Sequence, residues 1–175
     1  MTDTSERIIL GGGCFWCIEA VYKRIQGVVA TRPGYAGGHL DNPNYKQVCT
    51  GETGHAEVVE ISYDPHVIST EAILEIFWRA HDPTTLNRQG NDVGTQYRSV
   101  IFYSDEKQKK LAEKSLAGLI DAGTYDDPPV TLIQPLETFW PAEAYHKDYF
   151  ESNRSQGYCR IVIEPKLHKL ALLED

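Results

Sequence analysis

A turn of three glycines that leads into a pair of cysteines constrains this chain more than any other feature. The glycines at positions 11–13 precede Cys14 and Cys17, and the aromatic residues Phe15 and Trp16 stand between the two thiols. A cysteine that opens a helix after such a turn lies at the positive end of the helix dipole, which favours the thiolate over the thiol. Adjacent helical positions cannot both face the core, so at least one of the two aromatic rings is expected to line a cleft.

Two other interpretations of the cysteine pair stay open at this point. Cysteines are often small buried hydrophobic residues with no chemistry of their own. A pair with this spacing is also half of many zinc sites, but a closed zinc site needs four ligands. Cys49 and His55 could complete one, whereas Cys159 has no histidine near it in the sequence. Because neither completion forms a second ligand pair, we favour redox or nucleophilic use of the thiols and expect no metal.

Length and charge narrow the class of protein. A chain of 175 residues is long enough for one domain with a proper core, and we expect a single domain over residues 1–175. The formal net charge of -8 argues against nucleic acid or an anionic membrane as a partner, since both favour clustered Lys and Arg. No apolar signal segment and no run of 18 apolar residues occurs. Four cysteines indicate thiol chemistry in a reducing compartment, so a cytoplasmic protein is expected. We also expect a monomer.

Hydrophobic patterning predicts strands that are separated by helices. Strands are predicted over residues 6–10, 27–31, 55–64, 98–103 and 130–133, and helices over 14–24, 69–80 and 105–122, with a last helical piece after Pro141. The helix over 105–122 is expected to be buried along Ala112, Leu116, Leu119 and Ile120. Helices of this length on a sheet indicate an α+β fold, a two-layer α/β sandwich. Two long loops, 35–54 and 81–96, are expected to build a site.

Glu57 is the strongest candidate partner for the thiol. Alternation along its strand puts Glu57 on one face with Val59, Ile61 and Tyr63, so the carboxyl is expected to face the core. Burial raises the pKa of a carboxyl, and an acid that stays protonated near neutral pH can donate a proton to an oxygen during a reaction. The alternative is a structural glutamate near the open end of its strand.

Other polar residues in the two loops are candidates for the same site. Tyr45 and Tyr97 carry a donor hydroxyl on an apolar ring, which suits an oxygen atom held in an apolar pocket, and Asp92 lies in the second loop. With ten tyrosines in the chain, simple packing is the alternative for each ring. His146 is interpreted as a surface or hydrogen-bonded histidine and not as a base. No Walker lysine follows the glycines and no GxGxxG pattern forms, so nucleotide binding is rejected.

Five motifs together resemble one family, the peptide methionine sulfoxide reductases of type A. The motifs are Gly13-Cys14-Phe15-Trp16, Gly34-Tyr35-Ala36-Gly37-Gly38, Asn42-Pro43-Asn44-Tyr45, Thr53-Gly54-His55-Ala56-Glu57 and Gln89-Gly90-Asn91-Asp92-Val93-Gly94-Thr95-Gln96-Tyr97-Arg98-Ser99. They occur in the family's order, and the resemblance extends to about Cys159. It implies a ferredoxin-like two-layer sandwich with long functional loops, a coiled C-terminal tail from about residue 151, and no metal or organic cofactor.

The resemblance also implies an activity, the thiol-dependent reduction of methionine S-sulfoxide, free or in proteins, and so the repair of oxidised proteins. Cys14 would be the nucleophile, and Phe15 and Trp16 would form the pocket for the substrate's methyl group. Cys14 would become a sulfenic acid, and a second thiol would condense with it to a disulfide. Thioredoxin or a similar dithiol would then reduce that disulfide by exchange.

The same resemblance implies roles for the polar candidates around the sulfoxide oxygen. Glu57 would protonate this oxygen, Tyr45 and Tyr97 would donate hydrogen bonds to it, and Asp92 would support the site. These donors matter because the oxygen leaves with developing negative charge, which preorganised donors stabilise.

Two thiols are candidates for resolving the sulfenic acid. Many members of the family have glycine at the position of Cys17 and resolve with a tail cysteine in a Gly-Tyr-Cys context, as at Cys159. A disulfide between Cys14 and Cys17 would strain the first helical turn. Cys159 follows Ser155-Gln156-Gly157 and is expected to lie in a mobile tail, so Cys159 is favoured by a small margin over a relay or direct role for Cys17. Cys49 is expected only to pack.

Two functions of other classes remain as alternatives. A thioredoxin-like disulfide oxidoreductase would use the cysteine pair, but that fold places a strand, a helix and a second strand ahead of its motif. Only 13 residues precede Cys14. A zinc-stabilised interaction domain would instead use Cys14, Cys17, Cys49 and His55.

Overall fold

The computed structural model of the protein describes residues 5–172, which form a mixed α/β fold around a six-stranded sheet. The strands are β1 (Glu6–Gly11), β2 (Val28–Ala36), β3 (Ala56–Tyr63), β4 (Arg88–Gln89), β5 (Asp92–Val93), β6 (Val100–Tyr103), β7 (Leu132–Pro135) and β8 (Phe139–Pro141). The helices are α1 (Phe15–Tyr22), α2 (Tyr45–Val48), α3 (Thr70–Ala80), α4 (Glu106–Asp121), α5 (Tyr149–Ser152) and α6 (Glu164–Lys169). Short 3₁₀ turns cover Thr95–Tyr97 and Ala144–His146, and a π-helical segment, Cys159–Ile163, runs directly into α6.

The main sheet has the strand order β7-β6-β1-β3-β2-β8. β1 lies inside the sheet and pairs antiparallel with both β3 and β6. The pair β6–β7 is parallel, whereas β2 pairs antiparallel with β3 and with β8. β4 and β5 form a separate two-stranded hairpin inside the second long loop. The predicted mixture of helices on one main sheet is therefore confirmed.

The core lies between the helices and one face of the sheet. Alternate residues of β1 and β3, Ile8, Leu10, Val59 and Ile61, are fully buried on this face. Helix α1 packs on β2 and β3, α4 packs on β6 and β7, and α3 packs on α4. A smaller cluster buries the opposite face of the sheet and consists of Ile9, Ala36, Ala56, Val58, Val100 and Phe102.

Strand β2 is longer than the sequence predicted and includes the first part of the glycine-rich loop. Its pairing with β3 continues to Ala36, and β8 pairs with the same residues from the other side. Gly34 makes this possible, because a Cβ at that position would lie 2.4 Å from the ring of Phe139 in β8. The pairing with β8 joins segments about a hundred residues apart, so no local pattern could indicate that the strand continues.

The two long helices begin within one residue of the predicted starts, each at a capping side chain. The side chain of Ser69 accepts a hydrogen bond from the Ala72 N–H at the start of α3, and the side chain of Asp105 accepts one from the Gln108 N–H at the start of α4. Gly123, with φ +63°, lies just after the end of α4. The predicted burial of Ile120 is wrong, since this side chain is 55% exposed.

The C-terminal tail is helical and packed, which corrects the prediction of a coiled, mobile tail. Cys159, Ile163 and Leu167 are spaced four residues apart, lie on one helical face and are fully buried. The π-helical segment contacts α1. We call residues 159–169 the tail helix. Its apolar stripe outweighs the turn-forming Ser155-Gln156-Gly157 that precedes it.

Truncating the buried face of the tail helix should destabilise the whole protein. We expect Leu167→Ala to lower the free energy of unfolding by about 2–5 kcal/mol, because it removes a fully buried side chain. Ile161→Ala in the same helix is the matched control and should cost less than about 0.5 kcal/mol, because Ile161 is 76% exposed. Urea unfolding followed by circular dichroism measures both, and equal losses would contradict the packing described here.

Candidate active site

Cys14 lies at the junction of β1 and α1, as predicted, but it caps the helix and does not belong to its first turn. Its backbone is extended (φ -64°, ψ 130°), and α1 begins at Phe15. Gly13, with φ +92°, makes the turn between strand and helix in a conformation that strains other residues. The Cys14 residue is only 6% exposed. The junction therefore holds a nearly enclosed thiol at the start of a helix.

The reduced thiols of Cys14 and Cys17 have unequal acidities, and the order is the reverse of the expected one. Burial raises the pKa of Cys14 well above its ordinary value, and hydrogen bonding with Cys17 and the charge of Glu57 raise it further. Hydrogen bonding with Cys14 lowers the pKa of Cys17, against the effect of burial. The loss of hydration thus outweighs the helix dipole at Cys14. Cys17 is therefore the more acidic thiol of the pair, and the Cys14 thiol donates the hydrogen bond between them.

Glu57 is buried on the face of β3 that the alternation predicted. The residue is 1% exposed, and its Oε1 accepts a hydrogen bond of 3.1 Å from the backbone N–H of Phe15. Among the residues described, Oε2 has no hydrogen-bond partner. Burial raises the pKa of Glu57 to about 8, although the Phe15 N–H favours the charged form. Glu57 is therefore mostly protonated near neutral pH, and its carboxyl lies beside Cys14.

Tyr45 and Tyr97 both lie within electrostatic reach of Cys14 and Glu57. Tyr45 opens α2 in the first long loop, and Tyr97 ends the 3₁₀ turn in the second. Burial raises the pKa of each phenol, and negative charge on Glu57 or Cys14 would raise both pKa values further. Both hydroxyls consequently stay neutral donors. The two long loops converge on the cysteine, as the sequence predicted.

Aromatic side chains form one wall of the site. Phe15 is fully buried, whereas Trp16 is only partly buried, so the cleft-lining ring is that of Trp16. The Trp16 ring stacks on Tyr149 with 3.7 Å between ring centroids. Its Nε1–H donates a 2.9 Å hydrogen bond to Nδ1 of His146. The Tyr45 ring lies 6.1 Å from the Trp16 ring and closes the wall on the other side.

His146 is fully buried, so the interpretation as a hydrogen-bonded histidine is confirmed and the surface alternative is wrong. Burial lowers its pKa, which keeps the ring neutral. Since Nδ1 accepts the bond from Trp16, the remaining proton lies on Nε2. The ring therefore orients the indole and is a support of the aromatic wall that the sequence did not identify.

Glu143 is a second support that the sequence did not identify. Its Oε1 accepts a hydrogen bond from the Tyr35 hydroxyl, and its Oε2 accepts one from the Tyr45 backbone N–H, each at 2.9 Å. Burial would raise the pKa of Glu143, but these hydrogen bonds lower it overall. The carboxylate thus joins β2 to α2 and fixes the start of the helix that carries Tyr45. A lone glutamate 98 residues from Tyr45 gives no sequence signal for this contact.

Asp92 is connected to the cysteine pair through Tyr158. The Tyr158 hydroxyl donates to Oδ2 of Asp92 at 2.6 Å and lies 3.5 Å from Sγ of Cys17. Burial and the charges of the nearby thiols raise the pKa of Tyr158, so the hydroxyl stays protonated. Asp92 therefore supports the Cys17 side of the site by way of Tyr158. No local sequence pattern connects these residues.

All four cysteines are free thiols, and they differ in burial. Cys159 is fully buried in the tail helix, and burial together with the charge of Cys17 raises its pKa. Cys49 is exposed at the end of α2, so the expectation that it packs is wrong. Cys14 and Cys17 are the pair in direct contact.

The ligand set considered for zinc is not assembled. His55 uses both ring nitrogens for backbone contacts, with Gly38 N at 3.0 Å and Leu40 O at 2.7 Å. Over residues 5–172, no group of three or more His, Cys, Asp or Glu side chains is arranged to hold a metal ion. Within the same residues, no helix is long and apolar enough to cross a membrane.

Comparisons with known proteins find relatives over nearly the whole chain. The family model "Peptide methionine sulfoxide reductase" matches residues 6–174. The peptide methionine sulfoxide reductase MsrA of Chromobacterium violaceum is 53% identical over 165 residues, 94% of each chain. The reduced form of Mxr1 from Saccharomyces cerevisiae is similar in structure, with a TM-score of 0.83 and 37% identity over 89% of this chain and 88% of that one. Mxr1 in complex with Trx2 is also similar, with a TM-score of 0.60 and 25% identity over 85% and 88%.

Burial of Glu57 should make the stability of the protein depend on pH. Folding raises the pKa of Glu57, so the folded protein binds this proton more tightly than the unfolded chain does. The resulting contribution to the free energy of unfolding is fully present below the unfolded pKa and is lost as pH rises through about 8. Glu57→Gln removes the titration, so the variant should gain stability relative to the wild type between pH 5 and pH 9, by at most about 5 kcal/mol. Urea unfolding of both reduced proteins at the two pH values measures this difference, and parallel changes in the two would contradict it.

Proposed function

The chain belongs to the peptide methionine sulfoxide reductase family, and on that premise we propose which of its residues carry the reaction. The protein reduces the S-sulfoxide of methionine, free or in proteins, with electrons from thioredoxin or a similar dithiol. One observation carries the assignment of residues: a buried Glu57 carboxyl, largely protonated at neutral pH, adjoins Cys14 and two neutral tyrosine hydroxyls.

The sulfoxide group binds between the aromatic wall and the three proton donors. Its oxygen takes the position facing the Glu57 carboxyl, whose Oε2 has no other partner in residues 5–172. The hydroxyls of Tyr45 and Tyr97 donate hydrogen bonds to the same oxygen. The methyl group of the substrate contacts Trp16 beside Phe15.

Attack by Cys14 requires the loss of its proton, and Cys17 is the neighbouring acceptor. The Cys14 thiol already donates toward the more acidic Cys17, so substrate binding needs to move that proton only a short way. Sγ of Cys14 then attacks the sulfoxide sulfur as Glu57 protonates the oxygen, and a bond forms between the two sulfurs. The sulfur–oxygen bond breaks, and the oxygen takes a second proton and leaves as water. Water then attacks Sγ of Cys14, the bond between the two sulfurs breaks, methionine leaves as the reduced sulfide, and Cys14 carries an oxygen as a sulfenic acid.

Cys17 is the thiol that attacks the Cys14 sulfenic acid, and Cys159 takes part only in a later disulfide exchange. Cys17 contacts Cys14 and is the more acidic thiol, whereas Cys159 is fully buried in the packed tail helix. Sγ of Cys17 attacks Cys14, the disulfide forms and the oxygen leaves as water. The strain of a disulfide in the first helical turn makes this bond easy to reduce or to pass to Cys159.

The same proposal extends to the fold class, the domain and its setting. The packing of α1 and α4 on one face of the sheet supports a two-layer α/β sandwich of ferredoxin-like character, acting as one catalytic domain over residues 1–175. Four free thiols and a reaction that consumes dithiol electrons suit the cytoplasm, where a monomer would repair oxidised proteins.

Mapping of disulfides after one turnover tests the roles of the thiols. We expect Cys14→Ser to form no methionine, Cys17→Ser to stop at a Cys14 sulfenic acid that reacts with dimedone, and Cys159→Ser to form the Cys14–Cys17 disulfide at the wild-type rate. Cys49→Ser is the control for the exchange of disulfides, since Cys49 is exposed and its loss should leave the disulfide products unchanged. Mass spectrometry identifies each product, and a full burst of methionine from Cys14→Ser would remove the assignment of the nucleophile. A Cys14–Cys159 disulfide formed at the normal rate in Cys17→Ser would make Cys159 the direct resolving thiol.

The pH dependence of the chemical step tests Glu57 as the proton donor. Because the carboxyl must be protonated and its pKa is about 8, the single-turnover rate should fall as pH rises above that value. Glu57→Gln should lower the rate by roughly 100-fold or more and abolish this alkaline decline. Tyr97→Phe removes one donor of the same oxygen and should keep the decline. A wild-type rate that stays level up to pH 10 would rule out the proposed donor.

A further inference from the structure

An open groove lies beside the cysteine pair and meets the aromatic wall at Tyr158, whose ring is 5.8 Å from that of Trp16. Its volume is about 390 Å³, and both Cys14 and Cys17 lie at its floor. The β4–β5 hairpin forms one wall, and the tail helix with Tyr158 forms the other. The remaining residues that line it are Gln89, Gly90, Asn91, Asp92, Ile161, Val162 and Lys166.

Two apolar side chains are exposed along the tail-helix wall of this groove. Ile161 is 76% exposed and Val162 is 37% exposed, although the tail helix already buries a separate apolar face. The π-helical turn presents Ile161 and Val162 to solvent while it keeps Cys159 and Ile163 in the core, and such turns occur often at functional sites. Apolar side chains grouped around a reactive sulfur are typical of a surface that another protein covers.

We propose that this groove is the docking surface for the dithiol protein of the thioredoxin class that recycles the enzyme, and that Cys17 is the sulfur it attacks. The inference rests on the proposed function. Ile161 and Val162 supply the apolar contact, and Cys17 lies between the walls at the point where the partner's thiol must arrive. A thioredoxin-class occupant is favoured because Mxr1, similar to this chain, has been captured with Trx2, and because Cys17, the sulfur that a dithiol must reach, lines the groove.

The exchange at the groove conserves atoms and electrons. A thiolate of the partner attacks Sγ of Cys17, and the bond from Cys17 to its disulfide partner breaks. The released sulfur leaves as a thiolate and takes up a proton, and a mixed disulfide joins Cys17 to the docked protein. The second thiol of the partner then attacks its own first sulfur, which frees Cys17. The enzyme disulfide gains two electrons, and the partner dithiol becomes a disulfide.

Two reductants separate docking from chemistry. Turnover of free methionine S-sulfoxide is measured once with dithiothreitol and once with thioredoxin, thioredoxin reductase and NADPH. Dithiothreitol needs no docking surface, so Ile161→Asp with Val162→Asp should leave that rate within about twofold, whereas the KM for thioredoxin should rise by roughly tenfold or more. The control is Val29→Asp, which changes a side chain that is 62% exposed on β2, outside the groove, and should leave both rates unchanged.

Each other outcome overturns the proposal. An unchanged KM for thioredoxin in the double variant would show that docking takes place elsewhere. Equal losses with both reductants would assign Ile161 and Val162 to the catalytic site itself. If the double variant has a raised KM for an oxidised protein substrate when dithiothreitol is the reductant, the groove is a substrate surface. If the wild type forms a dimer and the double variant does not, the groove is a contact between two copies of the chain. A wild-type enzyme inactive with dithiothreitol would instead refute the proposed function.

Discussion

The hydrogen bond from the Phe15 N–H to Glu57 is the contact on which the site depends. It joins β3 to the start of α1, and so it fixes the carboxyl beside the thiol that precedes Phe15. The bond uses one carboxyl oxygen and leaves the other without a partner among residues 5–172. A buried acid with a spare oxygen costs stability whenever it ionises, and this same cost keeps the carboxyl protonated near neutral pH.

Burial of the site acts on the two thiols as well as on the carboxyl. A thiolate at Cys14 would lose hydration, and it would face a carboxyl that can itself become charged. Cys17 is the more acidic thiol of the pair, since it accepts a hydrogen bond from the Cys14 thiol and Lys166 lies near. Cys14 stays protonated, and a thiol reacts more slowly with oxidants than a thiolate does.

Much of this arrangement follows from local sequence, and the remainder does not. Alternation along β3 was sufficient to predict that Glu57 is buried, and the glycine turn was sufficient to place Cys14 before a helix. Glu143 and Tyr158 make their decisive contacts across 98 and 66 residues of chain, where no periodic pattern connects the partners. The acidity of Cys14 was predicted wrongly for a related reason: a helix dipole can be inferred from sequence, but the depth at which a thiol is buried cannot.

The tail helix shows how contacts between distant segments fix the geometry around the thiols. Its buried face sets Cys159 and Ile163 into the core next to α1, and this anchorage positions Tyr158 against Cys17. The opposite face lies outside that packing, and its apolar residues Ile161 and Val162 are exposed beside the groove. If the tail were the loose coil that its glycine and serine residues indicated, Tyr158 would lose its fixed place between Asp92 and Cys17. A packed tail therefore holds the Asp92 carboxylate, the Tyr158 hydroxyl and the Cys17 thiol in one continuous set of contacts.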